Sequence, residues 1–392
     1  MTRATVFRFG HVLVGAWLVH ARARILLGSR TPLRNRKTVP QPWRIRFSPR
    51  PYRAGNTGYQ FVPEKLAMPH SKSARVLPKP ISAGARAITI LSDAWILMVI
   101  RECFFGVRQF EQFQSMIGVP RATLAKRLKK LTQLGILKRV PHSLYSNREE
   151  YELTGMGRDL YPSIVALLAF GDKWLNQNAK PPLQLIHKPC GRPCIPKVVC
   201  SHCRVELRLE DFTFRDGPGA GFEPQGPMRR LTRRPSDPAI LERGRPCSIG
   251  RALQIIGDRW TYLVVRQSFF GVRRFGEFQV KTGIAANILA DRLRHLTHNN
   301  IFKIRKLSDD NQRFEYLLTE KGRDLYGPMV CLFRWGNKWL CDGKAPLILH
   351  HRNCDEDFLP VVVCDKCAGE LDPDEMDYRL RYTIGPQFAL SA

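Results

Sequence analysis

Two stretches of this 392-residue chain repeat one spacing of metal-binding side chains. The first holds His187, Cys190, Cys200 and Cys203, and the second holds His351, Cys354, Cys364 and Cys367. Both read H-x2-C-x9-C-x2-C, and the first also contains Cys194. A C-x2-C turn presents two thiolates to one ion, and an H-x2-C turn offers two more corners of a tetrahedron. Each stretch is therefore expected to enclose one Zn²⁺ with its own four residues. Four protein ligands close the coordination shell, so such sites would be structural and not catalytic. A thiol–disulfide switch and unliganded cysteines are the competing readings of the same residues. Cys103, Cys331 and Cys341 lie in apolar contexts and are expected simply to pack.

The clusters belong to a larger duplication. Residues 93–114 align without gaps to 258–279, with 12 of 22 positions identical at an offset of 165. The same offset pairs Arg127-Leu128 with Arg292-Leu293, and Gly157-Arg158-Asp159-Leu160-Tyr161 with Gly322-Arg323-Asp324-Leu325-Tyr326. Within the second copy, Asp258 precedes an apolar run, Trp260 to Phe270, and would cap a helix. A short helix is expected over Arg274–Lys281, a turn at Thr282-Gly283, and a longer helix from Ala285 to Asn299. Leu289, Leu293 and Leu296 recur at helical spacing as one buried stripe. Ile301–Arg305 and Arg313–Leu318 read as a β-hairpin, and a closing helix starts at Thr319. That order is a winged helix-turn-helix, whose second helix enters the major groove. Trp95, Trp174, Trp260, Trp335 and Trp339 fall on apolar helix faces, as core or seam residues.

The run CSIGRALQIIGDRWTYLVVRQSFFGVRRFGEFQ, with GIAANILADRLRHLTHNNIFK and FEYLLTEKGRDLY after it, resembles the HxlR family of bacterial regulators. The likeness covers about 100 residues of the second copy; the first keeps FFGVRQFEQFQ, LAKRLKKLTQLGILKR and YELTGMGRDLY. The resemblance implies a MarR-like dimeric winged helix that binds operator DNA, in some members as a redox or chemical sensor. Two modules in one chain depart from the single module usual in the family. Cys247 matches the cysteine that redox-sensing members use, which makes it a candidate redox site. The first copy has Ser82 there, and a half-buried small residue starting the helix is the plainer explanation.

With Leu124, Leu128 and Leu131 buried, Ala122, Lys126, Lys129 and Lys130 of the first recognition helix point outward, with Thr123 at the margin and Arg121 at its start. In the second copy the outward set is Asn287, Asp291, Arg294 and His295, with Ile288 at the margin. Lys and Arg can take phosphates or guanine edges, and Asn287 can read adenine. Arg127 and Arg292 flank these faces as phosphate contacts or as internal ion pairs. Arg148, Arg305 and Arg313 are expected on the wings.

Net charge is +29, of which residues 1–80 supply +15, from 16 Lys/Arg against Glu64 alone. Such a balance points first to nucleic acid and second to an anionic membrane surface. No apolar run reaches the ~18 residues of a membrane span. Residues 1–80 read as a basic leader outside the fold, or as upstream sequence translated ahead of a true start at Met68. Winged helices are expected over 81–180 and 246–344, Cys-rich tails over 181–214 and 345–384, and a Pro/Gly/Arg-rich linker over 215–245. The fold class is mainly α with small β-hairpin wings: two tandem winged helix-turn-helix domains, each followed by a zinc-ribbon-like tail. The expected function is a sequence-specific, cytoplasmic DNA-binding transcriptional repressor at the bacterial nucleoid. It would pair as an intramolecular pseudo-dimer or a homodimer on a double-stranded DNA operator. A protein-interaction scaffold of degenerate winged helices and a thiol-based redox regulator are the alternatives. No open metal site or nucleophile–base pair speaks for an enzyme.

Overall fold

A computed structural model of the chain describes residues 79–141, 149–176, 180–223, 241–242, 245–307 and 314–382. Strand β1 (Lys79–Pro80) leads into helices α1 (Ala83–Leu91), α2 (Ala94–Phe104), α3 (Phe110–Ile117) and α4 (Arg121–Gln133). Strands β2 (Leu137–Pro141) and β3 (Glu149–Leu153) pair as a wing, and α5 (Gly155–Arg158) and α6 (Tyr161–Trp174) close the first module. Its tail supplies β4 (Leu183–His187), β5 (Arg192–Cys194), β6 (Pro196–Cys200) and β7 (Phe212–Asp216), followed by β8 (Phe222–Glu223). The second module repeats the order with α7 (Ser248–Ile256), α8 (Arg259–Phe269), α9 (Phe275–Thr282) and α10 (Ala286–His298). Its wing is β9 (Phe302–Lys306) and β10 (Phe314–Leu318), and α11 (Glu320–Asp324) and α12 (Tyr326–Leu340) follow. The second tail supplies β11 (Leu347–His351), β12 (Glu356–Asp357), β13 (Pro360–Cys364) and β14 (Met376–Leu380).

Local chemistry explains these boundaries. Asp93 and Asp258 cap α2 and α8, accepting from the Trp95 and Trp260 amides at 3.1 and 3.0 Å. Gly118 and Gly283 end α3 and α9 in the left-handed conformation, with φ of 68° and 67°, which a side chain would resist. The leucine stripes of α4 and α10 are fully buried. The closing helix expected from Thr319 is broken at Leu325 into α11 and α12. The expected linker starts too early, since β7 runs to Asp216 and β8 pairs with β1. Among the described residues no single helix is long and apolar enough to cross a membrane.

Each module's first helix packs on the other module's last helix, α1 against α12 and α7 against α6, while α6 and α12 also pack together. Glycines permit the approach. A Cβ on Gly171 would sit 2.2 Å from the Ser248 carbonyl oxygen, and one on Gly336 would sit 2.5 Å from that of Ala83. Two matched anchors flank this seam. Asp324 accepts from Lys173 Nζ and Trp174 Nε1 at 2.6 and 2.8 Å, and Asp159 accepts from Lys338 Nζ and Trp339 Nε1 at 2.5 and 2.8 Å. These pairs are related by the offset of the duplication, so an approximate two-fold axis relates the modules.

The tails follow the same reciprocity. β4 pairs with β14, β7 with β11, and β6 with β13, every pair antiparallel and every pair joining one tail to the other. In β6–β13 Val198 faces Val362 at the centre, Pro196 faces Cys364, and Cys200 faces Pro360. The expectation of a separate zinc-ribbon-like tail on each module is thus corrected: the two tails are built into one another.

The seam makes two predictions. Gly171→Ala and Gly336→Ala should each cost about 1–3 kcal/mol in urea unfolding, because backbone must move. Gly276→Ala, with open space around it, should be neutral or stabilising. Equal behaviour of all three variants would contradict the close approach. The second prediction concerns Asp172, which accepts from Ser248 Oγ at 2.5 Å across the seam. Burial pushes its carboxyl up to about 6, against the hydrogen bonds from Ser248 and Asn176 and the charge of Arg251. A folded value above the unfolded one means that stability is fullest below pH ~4 and declines as pH rises to ~6, by up to roughly 3 kcal/mol. Asp172→Asn should flatten that decline, and an unchanged stability–pH curve would contradict it.

Candidate nucleic-acid interface and metal centres

On α4, Arg121, Lys126 and Lys129 are exposed and Thr123 is half-buried. On α10, Asn287, Asp291 and Arg294 are exposed and Ile288 is half-buried. Arg121 leans over the Phe110 ring, 4.6 Å from its centroid, and lies 3.5 Å from Glu111. Lys130 and His295 depart from the expected outward set. Both are half-buried and reach back to the ends of α1 and α7, meeting the Ile90 and Ile255 carbonyls at 3.3 Å. Helix C-termini leave such carbonyls unpaired, and a cationic or donor side chain satisfies them.

Arg127 and Arg292 take the internal option. Their Nε atoms lie 2.5 Å from Asp93 and 3.0 Å from Asp258, and both aspartates are buried. Arg292 also pairs with the neighbouring Asp291. Each aspartate therefore caps one helix and tethers the recognition helix beside it. The sequence offered an internal ion pair for these arginines but not its aspartate partners, although Asp93, Asp258 and both arginines recur unchanged in the repeats. The wings are hung in the same way: the Tyr151 and Tyr316 amides donate to the Arg108 and Arg273 carbonyls at 2.9 and 2.8 Å. Arg305 is exposed on its wing and pairs with Glu315, holding that carboxylate below its usual range. Arg148 and Arg313 lie outside the described residues.

The eight candidate cysteine and histidine ligands do gather into two tetrads, but not those the spacing implied. One is His187, Cys190, Cys364 and Cys367; the other is Cys200, Cys203, His351 and Cys354. In each, the four ligand atoms lie within 4.8 Å of one another. Each tetrad takes its H-x2-C turn from one repeat and its C-x2-C turn from the other. The reason is β6. Cys190 meets Cys364 at the Pro196 end of β6, and the strand then carries Cys200 about 13 Å away, at ~3.3 Å per residue.

The geometry suits a tetrahedral ion. Sγ–Sγ separations are 4.0 Å for Cys190–Cys364 and 3.9 Å for Cys200–Cys354. Nδ1 of His187 lies 3.2 Å from Cys367 Sγ, and Nδ1 of His351 lies 3.3 Å from the sulfurs of Cys203 and Cys354. Zn–S bonds of ~2.3 Å give tetrahedral edges of roughly 3.8 Å. Both imidazoles are fully buried and their Nε2 atoms have no hydrogen-bond partner, so Nδ1 is the nitrogen turned to the sulfurs. Backbone amides of His202 and Lys366 donate to Cys200 and Cys364 sulfur. Gly191, Arg204, Asp355 and Ala368, each following a ligand turn, adopt φ between 57° and 64°. These are knuckle turns that fold a short ligand pair around one point.

The other cysteines stand apart. Cys247 is buried and caps α7, its sulfur accepting from the Gly250 amide at 3.3 Å. Cys194 is buried beside the first tetrad, and burial pushes its thiol up to about 12. Cys103 and Cys331 are likewise raised to about 12 by burial, as packing residues are.

Known proteins agree with the winged modules. A model of HxlR-like helix-turn-helix matches residues 90–179 and 255–344. An uncharacterised HTH-type transcriptional regulator of Mycobacterium tuberculosis (strain CDC 1551 / Oshkosh) is 42% identical over 134 residues, 34% of this chain and 85% of the relative. One from Synechocystis sp. is 33% identical over 93 residues, 24% of this chain and 69% of that protein. The uncharacterised HTH-type transcriptional regulator YvaP of Bacillus subtilis (strain 168) is 29% identical over 91 residues, 23% of this chain and 84% of its own. With two matched modules, and with each module's helices and wing in the order that such a match requires, the chain belongs to the HxlR-like helix-turn-helix family.

Proposed function

We propose that the chain is a sequence-specific DNA-binding repressor that grips two unlike half-sites with one molecule. The observation that carries this reading is the pair of recognition helices, alike inside and different outside. Lys126 and Lys129 on α4 stand where Asp291 and Arg294 stand on α10, and Asn287 is exposed on α10 alone among the matched positions that could read adenine. Lys126 attracts phosphate or guanine, whereas Asp291 repels phosphate and can accept from a cytosine amino group. Arg121, Arg305, Arg148 and Arg313 would add phosphate contacts, and Arg127 and Arg292 act by orienting the helices. The half-sites would lie about one helical turn apart.

Selection from a random duplex library should enrich an asymmetric motif. Lys126→Ala should weaken contact at one half-site and Asn287→Ala or Arg294→Ala at the other, each costing about 1–3 kcal/mol where a base contact is lost. A palindromic footprint covered by two chains would return the protein to homodimeric binding and sink the one-molecule reading.

Each tetrad is proposed to hold a structural Zn²⁺ through three thiolates and one imidazole. The ion would contribute folding energy, and its ligands leave no open position for substrate. Elemental analysis of protein purified without chelators should find about two zinc per chain, and none would overturn this.

A further inference from the structure

We infer that the two metal centres are staples between the repeats, so that metal availability decides whether both recognition helices act as one DNA-binding unit. The inference rests on the zinc and DNA readings above and adds their coupling. Neither repeat holds a complete ligand set. His187 and Cys190 need Cys364 and Cys367, and His351 and Cys354 need Cys200 and Cys203. The centres lie at opposite ends of the β6–β13 pair, which itself joins the repeats through Val198 and Val362. That pair rests on the closing helices: β6 and β13 both pack on α6, and β13 packs on α12. The same two helices, α6 and α12, also receive α7 and α1 from the other module. The ions thus brace the strand pair that packs on the helices of the seam, and the seam sets the two recognition helices relative to each other. Without them the tails keep their strand pairing but lose the metal bonds that lock it, and the seam is left free to shift away from the spacing that a two-site grip needs. Linked binding exceeds single-site binding by factors up to ~10²–10⁴ only while the geometry lets both sites engage.

The partition of ligands can be read from metal content. Cys190→Ser with Cys364→Ser strikes one tetrad twice and should leave about one zinc per chain. Cys190→Ser with Cys200→Ser removes the same number of thiols from one repeat but strikes both tetrads, and should leave none. The reverse result, or equal metal content in the two variants, would overturn the crossed assignment. Histidine versions keep four ligands per centre and cover the case in which serine variants do not fold. Loaded with cobalt, C190H/C364H should show a three-thiolate and a one-thiolate centre, and C190H/C200H two two-thiolate centres. Spectra in the opposite sense overturn the assignment. Chelating the intact chain should then lower its affinity for the selected two-half-site duplex at least tenfold, while a single half-site duplex binds as before. Unchanged two-site affinity would overturn the coupling. A parent chain that carries no zinc would instead overturn the metal reading itself.

Discussion

The contact between the first helix of one module and the last helix of the other constrains everything else. At Gly171 and Gly336 backbone meets side-chain-free backbone, a distance set by hydrogen in place of a methyl group. That approach fixes where α6 and α12 lie, and both pack against strands of the exchanged tails. It also fixes the start of α2 and α8, which follow α1 and α7 after two residues. Because Asp93 and Asp258 cap those helices and bind Arg127 and Arg292, the seam's geometry passes into α4 and α10 through one partly buried ion pair each. Such pairs position more than they stabilise, since desolvation offsets most of the attraction.

Much of this was legible because it is local. The stripe Leu289, Leu293, Leu296 predicts its helix from spacing alone, and Asp258 predicts the cap of α8 from residue type. The duplication predicts that the first module repeats both. What spacing could not disclose is which copy of a motif a residue will meet. H-x2-C-x9-C-x2-C is equally satisfied within one repeat or across two, and the nine intervening residues look like loop until β6 is seen to run extended through Pro196–Cys200. Lys130 and His295 were misplaced for a related reason. Helical periodicity gives the face but not the neighbour, and the carbonyls at the ends of α1 and α7 draw these side chains inward.

The two faces of the molecule answer to different demands. Along the seam, residues occur as reciprocal pairs (Asp159 with Lys338 and Trp339, Asp324 with Lys173 and Trp174), so a change in either repeat is felt in the other. On the exposed sides of α4 and α10 no such reciprocity operates. Charge there differs in sign between Lys126 and Asp291 with no visible cost to the packing beneath, where Leu124 and Leu289 are both fully buried.

The exchanged tails also set an order of events during synthesis. His187, Cys190, Cys200 and Cys203 leave the ribosome with only half of each tetrad present, and Cys364 follows Cys203 by 161 residues. At ~5–20 residues per second the early thiols wait on the order of 10–30 s for their partners. Throughout that interval β6 and β7 also lack the strands they pair with and β4 has only β5 on one side, so the first half of the chain is born as an unfinished edge that only the second half can close.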